Sequence, residues 1–260
     1  MSSLHGKTIW LTGASSGIGL ALAEALANEG ASLILTARSE DTLTALANRL
    51  PGQHHVAVMD LMQPEHAFEA ATKVVARHQV DILINNAGVS QRSLALETDL
   101  SVYRKLMDIN YFSVVALTQA VLPSMVKRQS GHIVTVSSVA GKVGTKLRSG
   151  YAGSKFGVIG FMDCLRAEMR EHGVHCTTIC PGFVNTAIAH NSLVGNGQTL
   201  NQADPDNAGG ISAEQCARAI VKAIKAQKAE VVVADGLSKL APLLNRFFPS
   251  LVRKMVANRK

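Results

Sequence analysis

Tyr151 and Lys155 stand four residues apart in Y-A-G-S-K, and Ser138 lies thirteen residues upstream in V-T-V-S-S-V-A-G. On a helix, a spacing of four puts two side chains on one face. A phenol titrates near ~10 and is a weak acid-base catalyst at neutral pH; an ammonium group beside it stabilises the ionised form. The pair therefore suits proton transfer to or from a hydroxyl or carbonyl oxygen. The Y-x-x-x-K spacing also arises by chance on helices, so its meaning depends on what the rest of the chain brings to it.

Those residues need elements to hold them, and the chain alternates in type from Thr8 onward. T-I-W-L-T reads as a strand, G-A-S-S-G-I-G as a turn and L-A-L-A-E-A-L-A-N-E as a helix that Gly30 ends. A-S-L-I-L-T-A is a second strand, with a helix from about Asp41 to Leu50 closed by Pro51-Gly52. H-V-A-V-M-D gives a third strand, and a helix starts near Pro64. D-I-L-I-N-N-A-G is the fourth strand, followed by one long helix over roughly Ser101 to Lys127. G-H-I-V-T-V-S-S is the fifth strand, Tyr151 to Glu171 a helix, and V-H-C-T-T-I-C-P-G the sixth strand. Ser212 and Gln215 have the spacing of a capping box at the start of another helix, and E-V-V-V-A forms a seventh strand. Strands separated by helices predict an α/β fold with a doubly wound, parallel seven-stranded sheet of Rossmann type. Residues 1–260 read as one domain, without an internal repeat or a linker.

Composition supports this and removes other classes. With 47% hydrophobic, 17% charged and 4% aromatic residues, the chain has a large aliphatic core of the kind that covers both faces of a sheet. Cys164, Cys176, Cys180 and Cys216 form no paired ligand set, and no metal site is indicated. Cys176 and Cys180 read as buried free thiols. The start MSSLHGKTIWL lacks the pattern of a secretory signal, and no run of about twenty apolar residues predicts a spanning helix, so a cytoplasmic location is expected. The net charge of +7 is concentrated in Lys239, Arg246, Arg253, Lys254, Arg259 and Lys260, and the rest is nearly neutral. A body-wide basic face with stacking aromatics is missing, which argues against a nucleic-acid partner.

The glycine turn supplies what the Tyr-Lys pair needs. Gly13, Gly17 and Gly19 lie between the first strand and first helix, where glycines let backbone N–H groups approach a pyrophosphate at the helix N-terminus. Ser15, Ser16 and Ile18 of the same turn are further cofactor-binding candidates. The spacing is G-x-x-x-G-x-G rather than the commoner G-x-G-x-x-G. At the end of the second strand stands Ala37, where an acid would often hold the ribose hydroxyls of NAD, and Arg38 follows. An arginine can take a 2′-phosphate through a bidentate contact, so NADP(H) is favoured over NAD(H). The alternative is that Arg38 is a solvated residue opening a loop.

T-G-A-S-S-G-I-G, N-N-A-G, the Ser138 strand, Y-A-G-S-K and Pro181-Gly182 occur in one order, and over about Lys7 to Thr186 the chain resembles a single-domain short-chain dehydrogenase/reductase. It is most similar to the hydroxysteroid-dehydrogenase-like branch. The resemblance implies a catalytic set of Asn110, Ser138, Tyr151 and Lys155. In it Ser138 hydrogen-bonds the carbonyl oxygen, Tyr151 passes the proton and Lys155 lowers the tyrosine pKa while holding the nicotinamide ribose. Asn110 would hold a water that refills the proton, and Ser137 is the rival to Ser138. On the cofactor, Asp60 with Leu61 would meet the adenine, and Asn86, Ala87 and Gly88 the ribose side. Pro181, Gly182, Val184 and Thr186 would surround the nicotinamide amide and adjacent phosphates. Tyr151 and Lys155 would also touch the cofactor.

Specificity belongs to less patterned segments. Residues 187–210 are polar and rich in Gly and Asn, a candidate mobile lid over the substrate. Leu147 and Arg148 are expected to face the same pocket, Arg148 either reading an acidic substrate group or lying in solvent. Residues 237–260 form a basic amphipathic extension broken at Pro242 and Pro249. It either closes the pocket, packs on a neighbouring subunit or meets anionic lipid as a peripheral membrane contact. Two functions compete: an NADP(H)-dependent carbonyl reductase or alcohol dehydrogenase acting as a homodimer or homotetramer, and an NADP-sensing regulator. A pure sensor has no need of the Asn, Ser, Tyr and Lys set.

Overall fold

The computed structural model describes residues 2–202 and 205–258. β1 (Thr8–Thr12) enters α1 (Gly17–Asn28) through the glycine turn, β2 (Ser32–Thr36) leads to α2 (Glu40–Arg49), and β3 (His54–Val56) to α3 (Pro64–Arg77). β4 (Ile82–Asn85) precedes α4 (Leu100–Met107) and α5 (Ser113–Lys127), and β5 (Gly131–Val136) precedes α6 (Ser149–Glu168). β6 (Val174–Pro181) and the short β7 (Val184–Asn185) are followed by α7 (Pro205–Ala208), β8 (Ile211–Ser212) and α8 (Ala213–Lys225). β9 (Glu230–Val233), α9 (Gly236–Phe247) and α10 (Pro249–Asn258) complete the described chain.

Seven strands form one sheet in the order β3-β2-β1-β4-β5-β6-β9, with every pairing parallel. The alternation along each strand feeds two cores. On one face Ile9, Leu11, Leu33 and Leu35 meet Leu22 and Leu26 of α1 and Ile220 and Ile224 of α8. On the other, Trp10, Ile34, Leu83 and Ile133 meet Leu117 and Val121 of α5 and Met162 of α6. Trp10 satisfies its one donor inside that core, its Nε1 reaching Thr36 Oγ1 at 2.9 Å. Ser212 and Gln215 make both bonds of the capping box at the start of α8.

Three elements differ from expectation. The third strand stops at Val56 as an edge strand, and its pairing continues only as Ala57 N–H to Leu35 O (2.9 Å) and Met59 N–H to Ala37 O (3.1 Å). The helix expected from Ser101 to Lys127 is widened by a π turn at Asp108–Phe112. There Ser113 N–H bonds Asp108 O, five residues back, and Ser113 Oγ bonds Ile109 O at 2.6 Å. Such turns re-aim side chains and recur at functional positions; this one contains Asn110. Finally, β7 and β8 pair in a parallel ladder of their own, tying the two ends of the 187–210 segment together.

Candidate active site

The strand order reverses between β1 and β4, and a crevice opens there at the C-terminal ends of the strands. It is a cleft of about 940 Å³. Its nucleotide end is built by the glycine turn. Gly13 and Gly17 have φ of +66° and +54°, and a Cβ at Gly19 would collide with the Gly13 carbonyl oxygen. The turn is held from β4: Thr12 Oγ1 accepts the N–H groups of Asn86 and Ala87, both at 3.0 Å, and Asn86 Nδ2 donates to Thr12 O at 3.0 Å. Ser16 stands at the N-cap of α1, yet its side chain makes no capping bond and the first turn carries no acid. The free N–H groups and helix dipole therefore fit a dinucleotide's pyrophosphate. Asp60 Oδ1 accepts Met62 N–H at 3.0 Å, fixing the loop where Asp60 and Leu61 line the cleft. Arg38 is exposed and also borders the cleft.

At the reactive end Ser138, Tyr151 and Lys155 converge. Ser138 closes the end of β5, its Oγ accepting Ala140 N–H at 3.0 Å and donating to Pro181 O at 3.4 Å, and it hydrogen-bonds the Tyr151 phenol. Lys155 Nζ donates to Val136 O at 2.9 Å and lies 5.9 Å from the Tyr151 ring centroid. Gly88 makes room for it, since a Cβ there would sit 3.4 Å from Nζ and 3.0 Å from Asn110 Oδ1. Burial pushes the Tyr151 phenol above its ordinary pKa, opposed by the Ser138 hydrogen bond and by the charges of Arg148 and Arg92. Burial also pushes Lys155 down to about 8. Desolvation is the largest influence on Tyr151, and the phenol is in its protonated, donor form at neutral pH.

Every expected cofactor and catalytic residue lines this cleft except Asn110, which is fully buried behind it. Its Oδ1 accepts Val89 N–H at 2.9 Å, and its Nδ2 donates to Val89 O at 3.0 Å and Ser154 Oγ at 2.9 Å. With both amide hydrogens committed, the side chain pins the loop after β4. Ser137 is no rival to Ser138, because its hydroxyl donates to Lys155 O at 3.0 Å within α6. Leu147, expected at the pocket, is absent from the lining, whereas Arg148 is half-buried there with its guanidinium 5.4 Å from the Phe183 ring centroid.

Ala187, Ile188, Ala189, Asn191, Leu193 and Thr199 of the 187–210 segment line the cleft, and the segment is fastened to the body. Leu193 bridges both Gln91 and Thr199, and Leu193 N–H and O pair with Ser90 O and Arg92 N–H, both at 2.9 Å. Residues 203 and 204 of that segment lie outside the described residues. The most consequential residue missed by sequence reading is Gln91. Its Oε1 accepts the N–H groups of Gly150 (2.7 Å) and Tyr151 (3.2 Å), holding the N-terminus of α6, while Nε2 donates to Ser93 and Thr98 hydroxyls. No spacing rule reveals such a bond, because it joins positions fifty-nine and sixty residues apart.

Known proteins are similar to this chain in sequence and fold. A family profile described as short chain dehydrogenase matches residues 7–195. The chain is 37% identical over 264 residues to Dehydrogenase/reductase SDR family member 7B of Mus musculus, covering 98% of this chain and 82% of that one. A solved structure, a putative NAD(P) dependent gluconate 5-dehydrogenase from Beutenbergia cavernae with bound NADP at low occupancy, matches with a TM-score of 0.78 and 29% identity. That match covers 89% of this chain and 95% of the other. A short chain dehydrogenase/reductase from Burkholderia phymatum in complex with NAD shares the fold, with a TM-score of 0.82 at 22% identity over 100% of this chain and 99% of that one.

Proposed function

This chain belongs to the short-chain dehydrogenase family, an oxidoreductase family, and on that premise we propose that it is an NADP(H)-dependent enzyme interconverting a carbonyl and a secondary alcohol. The single observation that carries the reading is the buried Ser138, Tyr151 and Lys155 cluster beside a glycine turn shaped for a dinucleotide. The glycine turn and Lys155 would hold a nicotinamide dinucleotide, which when bound would supply hydride to the carbonyl carbon. Ser138 and Tyr151 offer two hydroxyls to the carbonyl oxygen, Ser138 by giving up its 3.4 Å bond to Pro181 O. Tyr151 then passes its proton to that oxygen, and Lys155, beside it, stabilises the phenolate left behind. Asn110 keeps the Val89 loop in register, and Gln91 keeps the catalytic helix in place. Arg38, beside Ala37 rather than an acid, supports NADP(H) over NAD(H), and an NADP(H) preference favours reduction because direction follows the cofactor pool.

In this reading the enzyme is cytoplasmic, in keeping with its four free thiols, and residues 187–210 act as a lid whose fastening at Leu193 must open for substrate. It works as a homodimer or homotetramer. Phe112 is exposed beside α5 and Phe156 on α6, where Gly153 and Gly160 leave open space on the same face as Phe156. The extension from residue 237 contacts a membrane surface. The test is oxidation of NADPH and of NADH against a panel of ketones, aldehydes and 3-oxoacyl compounds, with Tyr151→Phe as the control. Turnover with NADPH that collapses in Tyr151→Phe, while NADPH fluorescence still reports binding, is the expected result. Undiminished turnover in Tyr151→Phe, or a clear NADH preference, overturns the corresponding part.

A further inference from the structure

Leu237, Leu240, Leu243 and Phe247 of α9, Phe248 after it, and Leu251 and Met255 of α10 are all held in solvent, from 48% exposed at Met255 to 69% at Leu237. On α9 the steps of three and four residues gather the apolar side chains into one stripe. Lys239 and Arg246, seven residues apart and both exposed, run along one edge of it. Arg253 and Lys254 of α10 are exposed as well, and no Asp or Glu occurs between Gly236 and Asn258. Arg259 and Lys260 lie outside the described residues.

The inner side of this arm is fixed to the enzyme. Asn245 Nδ2 donates to Lys142 O at 3.0 Å, Val252 is buried, and Ser238 lies against Gly182, where a Cβ would meet its Cβ at 3.2 Å. The arm therefore packs behind the loops that carry Ser138 and Pro181. Among the described residues lining the cleft none comes from 236–258, so the arm is not a pocket wall. Its apolar face is left to a partner.

Charge decides between the two partners that fit. A second copy docking by two-fold symmetry would bring this same patch against itself, four cations facing four with no carboxylate inside the patch to neutralise them. An anionic bilayer offers hydrocarbon to the leucines and phenylalanines and headgroup charge to the cations. We propose that α9 and α10 form a docking surface for anionic phospholipid membranes, with Leu240, Leu243, Phe247 and Leu251 entering the interface and Lys239, Arg246, Arg253 and Lys254 holding headgroups. This deepens and rests on the membrane contact named above, and it is independent of the redox chemistry.

The test is co-sedimentation of the full chain with vesicles of phosphatidylcholine alone and of phosphatidylcholine with about 30% phosphatidylglycerol. Pelleting is expected only with the anionic vesicles, with release as salt rises from about 0.05 to about 0.5 M. Arg253→Gln/Lys254→Gln should lower the partition coefficient about thirtyfold, at roughly fivefold for each cation. Phe247→Gln/Leu251→Gln should abolish pelleting; all four positions are exposed, and retained thermal melting verifies the fold. No pelleting by the wild type, equal pelleting with neutral vesicles, or wild-type binding by Phe247→Gln/Leu251→Gln overturns the proposal. So does a particle mass by light scattering that falls in Phe247→Gln/Leu251→Gln without vesicle binding by the wild type, which would give the patch to a second copy. Each readout is independent of turnover, so a failure here leaves the oxidoreductase reading standing.

Discussion

Replacing Lys155 with methionine should destroy turnover and yet stabilise the enzyme at neutral pH. Lys155 is 4% exposed and its pKa falls from 10.5 to about 8 because burial penalises its charge. The unfolded chain keeps that proton up to the ordinary lysine value, the folded one only to about 8, so between these the unfolded state binds more protons and stability rises with pH. Below that window the folded enzyme carries the whole penalty, about 3 kcal/mol for a shift of this size. Methionine fills a similar unbranched volume without charge. It leaves Val136 O without its 2.9 Å partner, at a cost of about 1 kcal/mol. The net gain at pH 7 is then about 2 kcal/mol, or roughly 5 °C in Tm for a domain of this size. Above the ordinary lysine pKa the gain vanishes and only the lost hydrogen bond remains, so the variant should melt slightly below the wild type. Circular dichroism melts of both proteins at pH 7 and near pH 10.5, with NADPH turnover alongside, read all of this. A Lys155→Met protein that melts lower at pH 7, or keeps one offset at both pH values, would refute the assignment of Lys155 as a desolvated cation held for function.

Two other positions give independent checks. Gln91→Ala orphans the buried N–H groups of Gly150 and Tyr151, and should cost about 2–4 kcal/mol in urea unfolding together with most of kcat. Gln91→Glu keeps the acceptor and should recover much of both, so an alanine variant with the wild-type midpoint would show that the bond holds nothing. His132 is buried against Thr177 with its pKa lowered to about 4 by desolvation and, less, by His175. Its neutral ring contributes stability that is complete above the unfolded value of 6.5 and is lost as pH falls toward 4, about 3 kcal/mol in all. His132→Gln should flatten that acid limb in denaturant midpoints measured from pH 7 to 4, and an unchanged slope would assign the loss to other groups.

What the sequence revealed follows from how local each requirement is. The glycine turn was legible because positive φ at Gly13 and Gly17 and close contact at Gly19 are demands on single residues a few positions apart. The parallel seven-stranded sheet followed from the alternation of strands and helices, whereas its strand order is read only from the structure. The choice of Ser138 over Ser137 came from a spacing, and its cause appears only in space, where Ser137 is spent on the Lys155 carbonyl. Gln91 and the π turn were not legible. Gln91 works across fifty-nine residues, and Asp108–Phe112 carries the same apolar period as the α-helix on either side of it. The arm shows why periodicity alone is insufficient: it marked an apolar face in α9 without saying whether that face meets the cleft, the core or solvent.

The proton chemistry is where sequence logic and structure pull apart. Read as a spacing, Tyr151 and Lys155 suggest a cation that makes a phenolate. Placed in the fold, both are buried, and burial acts oppositely on the two: it raises the acid whose ionised form is charged and lowers the base whose protonated form is charged. At neutral pH both effects leave one state, a neutral phenol beside a cation that is only about one unit from losing its proton. A neutral phenol is the form that donates to a carbonyl oxygen in the proposed reduction. Oxidation needs the opposite form and must first ionise the tyrosine against its desolvation. Ser138 and the charges of Arg148 and Arg92 oppose the desolvation of Tyr151, and Lys155 Nζ lies 5.9 Å from its ring centroid, where in the proposed reaction it stabilises the phenolate once the proton has moved. The pair therefore works less as a fixed low-pKa tyrosine than as a buried donor whose charged product is provided for in advance.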